Sequence, residues 1–264
     1  MRWQFESLSD FGQAMKGLPV QLPPSSQKEW TGEYHEESME RAINGDTSKV
    51  PEAEALLEKI NSSIELKSRQ WETGFIGAFP SIPDFVSGHP ECMRTLGESS
   101  SETTPVRVFV GTSSSAGVDW KNLQSRGVAI LAAVMALARS RPVELWTFTS
   151  MDGGGSHSSG LSNVMVKVNS NPLRLSEACV ALCSIGFDRN LTHNYGRHHN
   201  QFKGGWCEQG GSLGGCRLVL EGLATEHDII VPPSHLNDEK IIKDPLGWVN
   251  DTLARFQTEQ EEYV

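Results

Sequence analysis

PVRVFVGTSSSAGVDWKNLQSRGVAILAAVMALARSRPVELWTFTS, residues 105–150, is the stretch that decides the fold. Val106-Arg107-Val108-Phe109-Val110 is β-branched and aromatic, the composition of a strand. Gly111-Thr112-Ser113-Ser114-Ser115-Ala116-Gly117 follows as a tight loop of small residues. Residues 121–139 carry Leu123, Val128, Ile130, Leu131, Val134, Met135 and Leu137, apolar on nearly every side, which predicts a buried helix. Pro142 ends the connection, and Val143 to Thr149 reads as a second strand. Strand, helix and strand with near-continuous apolar strands is the pattern of a parallel sheet covered on both faces.

Working outward, Asn163 to Val168 alternates like a third strand and is expected to pair antiparallel with the second. Residues 172–185 read as a helix with Pro172 near its start, and Asp228 to Val231 as a last short strand stopped by Pro232-Pro233. Leu246 to Gln257 reads as a closing helix. Upstream, Glu33 to Asn44 and Pro51 to Leu66 read as two short helices, the second with Leu56, Leu57, Ile60 and Ile64 at helical spacing. Trp71 to Pro90, broken by glycine and proline, reads as an irregular apolar loop packed onto the core, and Ser99 to Thr104 as a polar linker. The expected architecture is α/β, a mostly parallel sheet flanked by helices in residues 105–264. An acidic helical and irregular segment, residues 1–104, packs on it.

At 264 residues the chain can bury a full core as one domain, or one domain with an appended segment. No run approaches the roughly 20 apolar residues of a membrane span. The start, Met-Arg-Trp-Gln-Phe-Glu-Ser-Leu, has no apolar signal core, and the five cysteines are an odd number. Both point to a cytoplasmic protein with reduced thiols. The charge is segregated. Residues 1–104 carry 9 basic and 17 acidic side chains, residues 105–217 carry 11 and 6, and residues 218–264 carry 3 and 10. A positive centre between acidic flanks leaves nucleic acid open as a ligand in spite of a net charge of −10.

The 29 residues Arg189 to Arg217, RNLTHNYGRHHNQFKGGWCEQGGSLGGCR, lack apolar periodicity and read as one long loop. Arg189, Arg197, Lys203 and Arg217 supply cations against the single acid Glu208, and Tyr195, Phe202 and Trp206 supply rings. Cations neutralise phosphates and release counterions, and rings stack on exposed bases at about 1–3 kcal/mol each. Lys121 and Arg126, near the exit of the first strand, are the further groove candidates, since ligands of open α/β sheets gather at the carboxyl ends of strands. The 189–217 tract can also be read as a mobile surface insertion with incidental charge, and Lys121 and Arg126 as surface charges of the helix. His193, His198, His199, Cys207 and Cys216 match no standard zinc spacing, so no metal or other cofactor is assigned. The Gly-Thr-Ser-Ser-Ser loop lacks the Gly-Lys-Ser/Thr ending of a Walker loop, and no catalytic residue is assigned.

The order of strand, small-residue loop, helix, strand, antiparallel strand, helix and late strand resembles a von Willebrand factor A-type domain. There the first strand ends in Asp-x-Ser-x-Ser, which holds a divalent cation; here the five residues are Gly111-Thr112-Ser113-Ser114-Ser115, with Gly111 in place of the Asp. The loss of that carboxylate implies a dead metal site. A second resemblance is to uncharacterised phage proteins. It rests on Val118 to Gly127 running into Ala129 to Ala132, on Arg141-Pro142-Val143-Glu144-Leu145-Trp146, and on Phe5 to Leu8, Trp30-x-Gly32 and Gly77 to Pro80. Among N4-like bacteriophages, proteins of this size and acidity include single-stranded-DNA-binding regulators that act with the phage RNA polymerase. The resemblance implies a non-catalytic protein of that kind, acting in transcription or replication, with its acidic segments offered to the polymerase. The alternative is a degenerate A-type protein-interaction module that binds no nucleic acid.

Overall fold

The computed structural model describes residues 2–20, 24–61, 71–76, 79–96, 105–114, 117–140, 142–153, 161–168, 170, 172–199, 207–208, 220–226, 228–234 and 239–261. The chain opens with strand β1 (Arg2–Phe5) and helices α1 (Leu8–Met15), α2 (Pro24–Thr31), α3 (His35–Asn44) and α4 (Val50–Asn61). Strands β2 (Trp71–Gly74) and β3 (Phe79–Pro80), helix α5 (Ile82–Val86) and strand β4 (Met93–Leu96) follow. Next come β5 (Val106–Gly111), α6 (Trp120–Ser140), β6 (Val143–Gly153), β7 (Leu161–Val168) and α7 (Leu175–Cys183). A π-helical segment, Phe187–Thr192, runs straight into α8 (His193–His199). The last elements are β8 (Cys207–Glu208), β9 (Ile229–Val231), α9 (Lys240–Lys243) and α10 (Pro245–Glu261).

The fold is α/β, with a mostly parallel sheet ordered β1-β7-β6-β5-β9 and β8 attached to β6. Strand β5 pairs in parallel with β6, Val106 opposite Val143, and with β9, Val110 opposite Val231. Strand β7 runs antiparallel to β6, with Leu145 opposite Val168, as its alternation predicts. Alternation also sorts the side chains between the two faces. Val106, Val108, Leu145, Val164, Val166 and Val168 enter the main core, whereas Phe109, Trp146, Phe148 and Met165 form a second cluster on the other face. The helices whose apolar residues join a sheet core gather on the first face; Leu220, Leu223 and Ala224 cover the second.

Helix α6 is the centre of the helical layer. Every residue from Arg126 to Leu137 is buried, and each fully buried Leu, Ile or Val contributes about 1.5–3 kcal/mol. It packs against α4, α7 and α10. Gly127 permits a close approach to α7, since a Cβ there would stand 2.0 Å from the Leu182 carbonyl oxygen. At the end of β5, a Cβ on Gly111 would lie 2.5 Å from Pro233 Cδ, so a carboxylate could stand there only if the backbone moved.

Two expectations need correction. The N-terminal segment does more than pack on the sheet: β1 is its edge strand, parallel to β7, with Arg2 opposite Asn163 and Phe5 opposite Val166. Its burial alternates exposed and half-buried over four residues, too short a run to stand out beside charged neighbours. Residues 71–90 do not form a loop on the core. They belong to a separate three-stranded sheet, β2-β4-β3, with α5 inserted. Phe75, Ile76, Ile82, Phe85 and Val86 there are 64–88% exposed. The linker 99–104 and the end of the expected 51–66 helix lie outside the described residues.

Candidate nucleic-acid interface

The tract from Arg189 is helical at its start, not a loop. Residues 187–199 form the π-helical segment and α8, and most of their side chains are buried. Single π-helical turns inside helices mark functional sites often enough to warrant close inspection. Three consecutive polar residues, Asp188, Arg189 and Asn190, are 1–3% exposed and held by hydrogen bonds rather than by apolar packing.

Arg189 joins three parts of the chain. Its Nη1 donates to the Trp30 carbonyl at 2.5 Å; its Nη2 donates to Ser114 Oγ and the Val118 carbonyl, both at 3.0 Å. The guanidinium lies over the Trp30 ring, 4.8 Å from its centroid. Burial pulls its pKa down, and the charges of Asp188 and Asp119 act against that. Asp188 Oδ1 accepts from Thr149 Oγ1 at 2.9 Å and from Thr112 and Thr192 at 3.3 Å. Burial pushes its carboxyl up all the same. Asn190 Nδ2 donates to Ser38 Oγ at 2.9 Å and to the Glu33 carbonyl at 3.3 Å. The Glu33 carboxylate in turn accepts from Arg41 at 2.6 Å, from Ser38 and from Ser184. This network joins α2 and α3 to the π-helical segment and, through Asp188, to Thr112, just after β5, and Thr149 of β6.

Burial therefore removes three of the expected contact residues from solvent. Arg189 is 1% exposed. Tyr195 sits among Phe5, Phe11 and Trp3, with ring centroids 5.2–6.0 Å away. Arg126 is 5% exposed; its guanidinium donates to the Pro232 carbonyl and lies 3.9 Å from the Glu239 carboxylate. Lys121 is exposed on the first turn of α6, its ammonium 5.7 Å from the Trp120 ring centroid. Arg197 is half-buried at the end of α8, where His198 and His199 are exposed. Phe202, Lys203, Trp206 and Arg217 lie outside the described residues.

Beneath Arg197 is a cleft lined by His35, Arg189, Asn190, His193 and Asn194 as well. Burial, reinforced by the charges of Arg197 and Arg189, lowers the His193 pKa to about 4, so its ring is neutral near pH 7. His199 stacks obliquely on Tyr195 at 4.3 Å and lies 6.2 Å from the half-buried Trp3. No group of three or more His, Cys, Asp or Glu among the described residues is placed to hold a metal ion.

A family model for a domain of unknown function, DUF7192, matches residues 1–260. The chain belongs to that family. No curated protein and no solved structure matches it. In this DUF7192 chain, sequence reasoning missed Trp3, Asn190 and Asn194 as parts of the site. Trp3 and Phe5 do alternate with polar neighbours, which is a strand signal. Nothing local marks the two asparagines, because residues distant in the chain place them. Among the described residues, no helix is long and apolar enough to cross a membrane.

Proposed function

We propose that this chain is a non-catalytic single-strand nucleic-acid-binding protein, contacting the strand through the end of α8 and the residues that follow. The observation that carries this reading is the accessible end of α8. Arg197, His198 and His199 lie there in succession, with Trp3 beside them, and the chain leads directly to Phe202, Lys203, Trp206 and Arg217. Cations beside rings suit a backbone with exposed bases. Arg126, Arg189 and Tyr195 are buried and take no part in contact. A role in phage transcription or replication, with the acidic ends turned to an RNA polymerase, is part of the same proposal.

The test is fluorescence anisotropy of an about 30-nucleotide labelled single strand, beside the matching duplex, over a salt series. Salt-dependent binding that prefers the single strand is the expected result; absence of binding at low salt overturns the reading. One observation favours a second reading, a protein-interaction module. Phe75 and Ile76, beside the small sheet, and Ile82, Phe85 and Val86 of α5 are exposed, and exposed apolar groups near one another in the chain suit a partner site. A chain that ignores oligonucleotides but retains a partner through this surface would establish it.

A further inference from the structure

The small sheet gathers its exposed apolar residues at one end. Gly74, the last residue of β2, and Pro80, the last of β3, both pair with Met93, the first residue of β4. Strands β2 and β3 flank β4 and both run antiparallel to it. They therefore leave the sheet at the same end, where β4 begins, two strand spacings or about 10 Å apart. Phe75 and Ile76 follow the first exit, and Ile82, Phe85 and Val86 follow the second. The Ser81 N–H donates to the Cys92 carbonyl at 2.7 Å, which holds the start of α5 against the chain entering β4. Within α5 the three apolar residues fall at i, i+3 and i+4, on one side of a single helical turn.

Among the described residues, the elements of this unit pack chiefly on one another, and Ser81 is the one buried side chain of 71–96. Strands this short gain stability when an apolar face is covered. The charge at this end of the sheet selects the cover. Residues 71–96 hold Glu72, Asp84 and Glu91 against Arg94, the one Lys or Arg. Asp84 lies within α5, between Ile82 and Phe85, and Glu91 stands two residues before β4, so both acids belong to the end that carries the apolar groups. Neither has an ion-pair partner among the described residues. A second copy seated here would set these acids against their own kind, between chains that each carry a net charge of −10. An anionic lipid surface is repelled for the same reason. A protein segment with an apolar stripe flanked by Lys or Arg answers both features. Its stripe covers the phenylalanines and aliphatic side chains, and its cations meet the acids at the rim.

We propose that this end of the small sheet docks a cationic amphipathic segment of a partner protein. The inference rests on the protein-interaction reading of this surface, names its partner class, and holds whatever the chain does with oligonucleotides. The experiment titrates the full chain into a labelled Leu/Lys amphipathic peptide of about 18 residues, in about 0.15 M salt, and reads anisotropy. The same peptide with Glu in place of Lys is the comparison. The expected result is binding of the Lys peptide about ten-fold tighter than of the Glu peptide. It should weaken about ten-fold in the double variant Phe75→Ser, Phe85→Ser, and several-fold in Asp84→Asn, Glu91→Gln. No binding of the Lys peptide, equal affinity for the two peptides, or undiminished binding in the Phe variant overturns the proposal. The first two of these need only the wild-type chain. Equal affinities that the Phe variant loses would sink the cationic partner and leave the interaction reading standing. Sedimentation of the chain alone and flotation with phosphatidylcholine vesicles address the other occupants. A dimer or a vesicle complex that the Phe variant loses would give the surface to a second copy or to lipid, and would overturn the proposal.

Discussion

Arg189 shows how a charged side chain can be a structural part. With its donors spent on Trp30, Ser114 and Val118, truncation leaves buried carbonyls and Asp188 without their partner. Arg189→Met should lose about 3–5 kcal/mol in urea unfolding; a loss under 1 kcal/mol would show that the network closes without it. His193 ties stability to pH. Its folded pKa of about 4 lies below the unfolded value of 6.5, so between those values the unfolded chain binds a proton that the folded chain refuses. Stability falls as pH drops through that window, by up to about 3 kcal/mol. Asp188 works in the opposite sense: its raised carboxyl pKa weakens the fold at neutral pH, and acid relieves this. His193→Asn should flatten the urea-midpoint profile between pH 6.5 and 4; an unchanged slope would assign the acid sensitivity elsewhere.

At the scale of elements, legibility followed period. Helix α6 and strands β5, β6, β7 and β9 were readable because each carries its own apolar pattern and meets the core through it. The segment 187–199 was not, since its apolar core residues Phe187, Leu191 and Tyr195 stand among buried polar ones, Asp188, Arg189, Asn190, Thr192 and Asn194, that mask their helical spacing. The α6–α7 contact depends on a residue without a side chain. Gly127→Ala would press a methyl onto the Leu182 carbonyl and should lower stability by about 1–3 kcal/mol, checked by thermal unfolding. For α8 the expected effect is on binding. Arg197→Ala should reduce the slope of log affinity against log salt by about 1, while leaving the melting temperature near that of the wild type. A wild-type slope in that variant would move the contact elsewhere.

For the whole molecule, the main feature is segregation. The net charge of −10 hides a basic centre, two of whose cations, Arg126 and Arg189, are buried. Phe75, Ile76, Ile82, Phe85 and Val86, in the segment of the separate small sheet and α5, are exposed. Replacing Phe75 and Phe85 by Ser should change stability by no more than about 0.5 kcal/mol. It should also reduce hydrophobic-dye binding of the native chain, and a large destabilisation would mean that this surface is covered in solution. Apolar period and loop chemistry, which act over a few residues, were enough to dictate the strand–helix–strand unit and its antiparallel addition. The sheet's first strand, the burial of Arg126, Arg189 and Tyr195, and the cleft of Arg197 depend on contacts between segments more than 100 residues apart. Hydrogen bonds across such distances leave no local pattern, so folding alone sorted the cations that stabilise the protein from those free to bind.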